Sequence, residues 1–482
     1  MISELNDDVL LHILCFLPSA TDVARAAVLS QRWRRLWALA PELHFAVGPG
    51  SFADEQGKDR EKFAVSRRDA ARRLIAGVDA TLARRAASGE GDDDVDALAI
   101  SLVYSSNVNR RRRGERYYFH DHHHEADVTP LRFGGWLRFA ERHVKGSFAL
   151  ELPLVAPVAA AVAVAAARRA AWEKANITSM TDEGVVIFVE HVAPSANAEE
   201  EEEAAPEVVE LPRSTRAEVM SLNLGYATVS VPATGAFRAL TDFTLHHAVL
   251  DAGGGDDDDL RLGHLLSSSC CPRLRRLRLQ QIGGLAALRL DAADTLEELR
   301  LVNLPDLRRL DVDAAGLRQL RLSGCSGSAE MEAMAISTPR LEDLACDGMV
   351  HPDRLRFAGA ATVRRIKKLF LFTHGSGNDG DDANAAALWL LNNCVALDHL
   401  DVALFFAMLN MADTMLDVPH LPTVTTLKIK ARAWMGGHSI SPTLARFLSK
   451  CERIEQLSIH IQDGCAQILS VYVANRRIGR TR

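Results

Sequence analysis

The 482-residue chain lacks any apolar run suited to crossing a membrane. The stretch Leu154 to Ala167 is apolar, but it is short, alanine-rich and interrupted by Pro157. A membrane span needs about 20 such residues, so this stretch reads as a helix or a loop. No secretory leader is visible, because Met1 runs almost directly into a capped amphipathic segment. The eight cysteines include no Cys-x-x-Cys pair, and only Cys270 and Cys271 are adjacent. They read as thiols in a reducing compartment, with the cytoplasm and/or nucleus as the expected location. Net charge is only −7, which gives no reason to expect nucleic acid as a partner. There is no Gly-rich phosphate loop, no His-Glu-x-x-His and no Gly-x-Ser-x-Gly. Nothing assembles a nucleophile, a base and an oxyanion site, so neither enzyme chemistry nor a cofactor is expected.

Two clusters look chemical. His120, Asp121, His122, His123 and His124 are ligand types that suit zinc. Consecutive histidines point in different directions on any regular element, and no second pair has finger spacing, so a polar loop is the favoured reading and no metal is expected. The run Arg110–Arg113 fits a phosphate contact or an import patch, and equally a solvated loop. Glu199–Glu203, Gly253–Asp259 and Gly375–Asp382 read as solvated loops inserted between ordered elements.

The first 45 residues carry a denser signal. Asn6 is placed to cap a helix whose first turn holds Asp7 and Asp8. Val9, Leu10, Ile13, Leu14 and Leu17 recur at helical spacing, and Pro18 ends the helix. A second helix is expected around Val23–Val28. A third, capped by Ser30, carries Trp33, Leu36 and Trp37 and stops before Pro41. So small a unit cannot bury all of these side chains in its own core, and some must face a partner.

Leu5-Asn-Asp-Asp-Val-Leu-Leu-His-Ile-Leu-Cys-Phe-Leu-Pro18 and Val28-Leu-Ser-Gln-Arg-Trp-Arg-Arg-Leu-Trp37 together resemble the F-box in the form common in plant proteins. Asn6 departs from the pattern, where the family usually has Pro. The resemblance implies binding to the Skp-type adaptor of an SCF ubiquitin ligase, and through it to the cullin/RING assembly. It would use Leu5, Val9, Leu10, Ile13, Leu14, Leu17, Val28 and Trp33.

Further along, the template Leu-x-x-Leu-x-Leu recurs, with central leucines at Leu277, Leu288, Leu299, Leu310 and Leu320, spaced 11, 11, 11 and 10 residues apart. Looser copies centre on Leu222, Phe243, Leu344, Leu369, Leu400, Leu427 and Leu457. Two steps make a repeat of about 22 residues, within the leucine-rich-repeat range, so alternate copies should lie on opposite walls of a coil. Cys325 falls where the repeat expects a buried Asn or Cys. Two more strands are expected at Val95–Val103 and Ser147–Val155.

The expected fold is therefore α/β: a three-helix F-box (1–45), a polar helical joint (46–94), a leucine-rich-repeat horseshoe (95–472) and a tail (473–482). This resembles the plant F-box/leucine-rich-repeat family, many of whose members carry a further C-terminal domain that is not apparent here. The function implied is target recognition for ubiquitylation, with an F-box protein working outside a ligase as the alternative. Whether a small molecule also sits on the repeats stays open. Flanking the buried leucines, Arg278, Arg300 and Arg321 should stack as an outward ladder, continued by Lys368, Phe370, Asp401 and Lys428. A solvated surface is the simplest account of such residues. The alternative is a target-binding face for an acidic or phosphorylated segment, because Arg forks suit carboxylate and phosphate.

Overall fold

The computed structural model describes residues 5–15, 30–36, 39–46, 60–87, 94–102, 128–152, 208–251, 260–292, 294–325, 331–346, 350–372, 378–406, 417–433, 440–463 and 468–474. The histidine cluster, the Arg110–Arg113 run, the Leu154–Ala167 stretch and the acidic runs lie outside the described residues. Contacts divide the chain into two compact units, Met1–Gly253 and Gly254–Arg482. The architecture is α/β with extensive parallel sheet.

In the first unit, α1 (Asp7–Cys15) and α2 (Gln31–Leu36) precede β1 (Glu42–Ala46). The stretch read as a joint holds α3 (Arg60–Ala87), whose Leu74, Ile75, Val78 and Leu82 are buried at helical spacing. Its flanking strands β1 and β2 (Val95–Ser101) pair in parallel, so a long crossover helix is what the geometry requires. A second crossover follows, through α4 (Pro130–His143) to β3 (Val144–Glu151). Thr129 caps α4, and Pro130 opens it without losing a hydrogen bond. Asp79 of α3 ties the two helices together, accepting from the buried Trp136 indole at 2.8 Å and pairing with Arg132 at 3.1 Å. Buried Arg85 reaches the Ala40 carbonyl at 2.5 Å. β4 (Val209–Glu210), β5 (Val219–Ser230) and β6 (Asp242–Leu250) complete this sheet in the order β1-β2-β3-β5-β6, with β4 beside β5.

The second unit begins with a short helix, α5 (Arg261–Leu265), and is then governed by the 11-residue step. β7 (Arg276–Gly283), β9 (Glu298–Val302), β11 (Gln319–Ser323) and β13 (Asp343–Cys346) pair in parallel in one sheet. The copies between them, β8 (Ala287–Asp291), β10 (Arg309–Asp313), β12 (Ala333–Ser337) and β14 (Leu355–Ala358), form a separate four-stranded parallel sheet. Alternate copies thus do fall in different sheets. The inward residues of both, among them Leu277, Leu279, Leu299, Leu301, Leu288, Leu290 and Val312, are almost wholly buried. Each contributes roughly 1.5–3 kcal/mol of burial, which no single repeat could collect alone. The residue before each strand of the larger sheet donates to its counterpart one step earlier: Glu297 to Arg275 O (2.8 Å), Arg318 to Glu297 O (3.0 Å), Glu342 to Arg318 O (3.0 Å) and Arg364 to Glu342 O (2.9 Å). Cys325 is buried as its position demands, with Sγ donating toward Leu301 O at 3.5 Å.

The larger sheet continues through β15 (Arg365–Phe372), β16 (His399–Phe406), β17 (Thr426–Ala433) and β18 (Gln456–Asp463), and ends on antiparallel β19 (Ile468–Ala474). Here helices occupy the return path: α6 (Asn378–Asn393) before β16 and α7 (Ile440–Ser449) before β18. α6 corrects one expectation. The composition of Gly375–Asp382 predicts a solvated loop, yet the helix already runs from Asn378. Ala386, Ala387, Leu390 and Leu391 supply an apolar face that carries it.

Candidate functional site

The N-terminal surface is set by a few polar ties. The Asn6 side chain accepts from Val9 N–H at 2.9 Å, so Asn caps α1 where the family usually has Pro. Ser30 Oγ lies 3.4 Å from Trp33 N at the start of α2. Arg32 joins the two motif halves: its guanidinium pairs with Asp7 at 2.6 Å and reaches the Leu5 carbonyl at 2.5 Å. Sequence reasoning placed Asp7 and Arg32 in the motif but missed their pairing, which spans 25 positions.

The apolar set divides. Leu10 and Leu14 are 0% and 1% exposed, and Leu36 is buried. These side chains anchor the helices, which corrects the expectation that Leu10 and Leu14 present a binding surface. Residues four apart on a helix share a face, so Leu10 and Leu14 turn inward together while Val9 and Ile13 turn outward together. Val9 is 44% exposed, Ile13 39% and Leu5 36%. Trp33 is half-buried, and Leu17 and Val28 lie outside the described residues. Leu39, not singled out from sequence, is half-exposed.

On the larger sheet of the second unit, Arg278, Arg300 and Arg321 are in register, strand to strand. Glu298 lies between the first two, 3.2 Å from Arg278 and also paired with Arg300. The row continues through Ala345 to Lys367 rather than to Lys368. The reason is a register shift between Ile366 and Leu369, where Lys368 adopts φ +62° and is buried. Beyond it, Asp401 and Lys428 are aligned as expected. His399 heads β16, and burial, then the Lys428 ammonium, hold its imidazole below the usual range.

Elsewhere the side chains look structural. Cys270, Cys271, Cys325, Cys346, Cys394 and Cys451 are buried thiols, with the Cys271 and Cys394 pKa values pushed up to about 12 by burial. Among the described residues there is no cluster of three or more His, Cys, Asp or Glu placed to hold a metal ion. No described helix is long and apolar enough to cross a membrane.

Residues 2–43 match the F-box domain family. A putative FBD-associated F-box protein of Arabidopsis thaliana is 55% identical over 42 residues, 9% of this chain and 10% of the relative. F-box/LRR-repeat protein 25 of Arabidopsis thaliana is 50% identical over 44 residues, 9% of this chain and 17% of that protein. An Arabidopsis F-box/FBD/LRR-repeat protein matches at 50% over 44 residues, 10% of its length. The chain therefore covers only a small part of each of these relatives. It carries an F-box domain at its N-terminus, and the relatives it matches are plant F-box proteins.

Proposed function

We propose that this chain is the target-recognition subunit of an SCF-type ubiquitin ligase. The observation that carries this reading is the exposed pair Val9 and Ile13, with Leu5, on a capped helix inside the stretch that matches the F-box. In this reading the N-terminal residues complete a three-helix F-box and dock on the Skp-type adaptor through Leu5, Val9, Ile13 and Trp33, with Leu17 and Val28. The alternating sheets of the second unit act as a leucine-rich-repeat horseshoe that holds a target protein. Its cationic outward face, with Arg278, Arg300 and Arg321, takes an acidic or phosphorylated segment of that target. The cullin/RING assembly transfers ubiquitin. This chain contributes proximity and orientation without bond-making chemistry of its own. It works in the cytoplasm and/or nucleus.

The test is affinity capture with the full-length chain and with a Val9→Asp, Ile13→Asp variant. The expected result is recovery of a Skp-type adaptor with the first and its loss with the second, while other partners stay. Equal adaptor recovery from both would remove the reading. Ubiquitylation of a captured partner by the reconstituted ligase separates it from an F-box protein that acts outside a ligase.

A further inference from the structure

The outward face of the larger sheet in the second unit has two unusual neighbours. The first is Arg321. The cations on the strands beside it have carboxylates: Glu298 serves Arg278 and Arg300, and Asp343 serves Arg365 and Lys367. Arg321 has none among the described residues, because the strand position that supplies Glu298 and Asp343 on either side is Gln319 on β11. Its Nε is buried without a hydrogen-bond partner among the described residues. The next residue in its row is Ala345, and the one after is Lys367. Only a methyl group separates two long cationic side chains whose backbones are two strands, about 10 Å, apart. That gap fits one carboxylate or phosphate, approached by a guanidinium from one side and an ammonium from the other.

The second neighbour is aromatic. Phe370 and Phe372 of β15 both meet Phe405 of β16, with ring centroids 5.4 Å and 5.2 Å apart, and all three rings are only part-buried. The bulge at Lys368 brings them to this face. Lys367 and Phe370 are three positions apart, so in a regular strand they would point to opposite sides. The extra residue between Ile366 and Leu369 resets the alternation. It buries Leu369 and Leu371 and turns Phe370 and Phe372 outward beside the cationic row.

We infer that the Ala345 gap and the aromatic trio are halves of one docking surface, which takes an extended acidic peptide carrying a bulky apolar side chain three to four residues from its acidic group. The spacing follows from the register. From Ala345 the trio lies one to two strands across and two to four residues along, about 12 Å, which an extended chain covers in three to four residues. The acidic sign follows from charge: the chain is net −7, yet this face holds an arginine with no carboxylate partner among the described residues. The inference rests on the target-receptor reading and gives it a recognition chemistry.

The experiment uses the full-length protein on an array of fluorescein-labelled Gly/Ser peptides. Each carries one phenylalanine and one glutamate or phosphoserine at varied separation. The expected result is at least tenfold tighter binding at separations of three and four than for peptides lacking either residue. The glutamate and phosphoserine arms show which anion is preferred. Arg321→Gln should erase the preference for acidic peptides. Ala345→Glu, a change at an outward position that gives Arg321 an internal carboxylate, should do the same with the fold intact. Acid-dependent binding that ignores phenylalanine and its spacing would overturn the two-point surface. So would single-stranded RNA bound as tightly as the best peptide, or no acidic peptide bound at all. Adaptor recovery from the same preparation judges the receptor reading separately, so the two failures are distinguishable.

Discussion

The N-terminal helices and the repeated strands of the second unit both lean on leucine and its relatives, and they put them to opposite uses. In β9, Leu299 and Leu301 are fully buried, and the outward positions are Glu298 and Arg300. In α1, Leu10 and Leu14 are buried while Val9 and Ile13, on the same nine-residue helix, are left exposed. Where apolar residues follow the structural period strictly, they account for one another's burial and no surface is left over. Where two apolar rows occupy one short helix, only one can be internal, and the other is available to a partner. The matched F-box stretch has that surplus.

The largest expected effect breaks the comparison from the repeat side. Leu299→Ala removes a wholly buried side chain between strands paired on both edges, and should cost about 2–5 kcal/mol. Denaturant unfolding should show a clearly lowered midpoint. Adaptor capture below that midpoint should be unchanged. A cost under 1 kcal/mol would mean that the repeat core is not the closed unit its burial indicates. Next in size is the converse pair, Val9→Asp with Ile13→Asp. Exposed positions are expected to change stability by no more than about 0.5 kcal/mol. Adaptor affinity should nevertheless fall at least tenfold, about 1.4 kcal/mol, by titration against purified adaptor. A large stability loss with adaptor binding retained would reverse the assignment of the two faces.

The same contrast explains what the sequence made legible. Leu277 through Leu320 announce their strands because a period of 11 survives every substitution around it, and the alternation between two sheets follows from it. β12 and β14 occupy the same alternating places but carry weaker marks, and β12 also follows a longer step of 14 residues from Leu320 to Met334. Met331, Met334 and Ile336 fill the leucine positions of β12, and only Leu355 marks β14. Burial requires an apolar volume, not leucine as such. α4 and α6 were missed for another reason: their apolar faces are short and mixed with charge, and tertiary packing decides them. At the candidate sites, the arginine ladder was legible because register follows from a fixed repeat. The split between Leu10 and Val9 was not, because periodicity shows that two rows exist without saying which one turns inward. The shift from Lys368 to Lys367 depends on a bulge that only the fold reveals.

A smaller effect sharpens the polar side of the comparison. Arg32 ties α2 to Asp7 and to the Leu5 carbonyl, in a partly exposed setting. Arg32→Ala should therefore cost about 1 kcal/mol or less in stability. Its more informative consequence is local: amide exchange in residues 5–15 should speed up while exchange in β9 and β11 stays unchanged. Equal acceleration in both regions would show that the two are not independent in stability.

The smallest expected effect concerns the outward face and is a matter of direction. His399 is held below the ordinary imidazole value of 6.5, first by burial, then by Lys428, with Lys367 adding to the shift and Asp401 and Asp398 opposing it. For a base whose folded pKa is lowered, the unfolded chain takes up the proton first as pH falls. Its contribution to stability is thus intact above about 6.5 and declines as pH drops from there toward the folded pKa. The His399→Gln variant should accordingly lose less stability than the parent between pH 7.5 and 5.5, a comparison that cancels the other histidines. By NMR, the His399 ring should titrate below 6.5 in the parent and at a higher pH in Lys428→Ala, because that variant removes a repelling charge. A ring that titrates at or above 6.5 in the parent would mean that Asp401 and Asp398 dominate its surroundings. The cationic character assigned to this end of the face would then be wrong, whereas the N-terminal surface would be untouched.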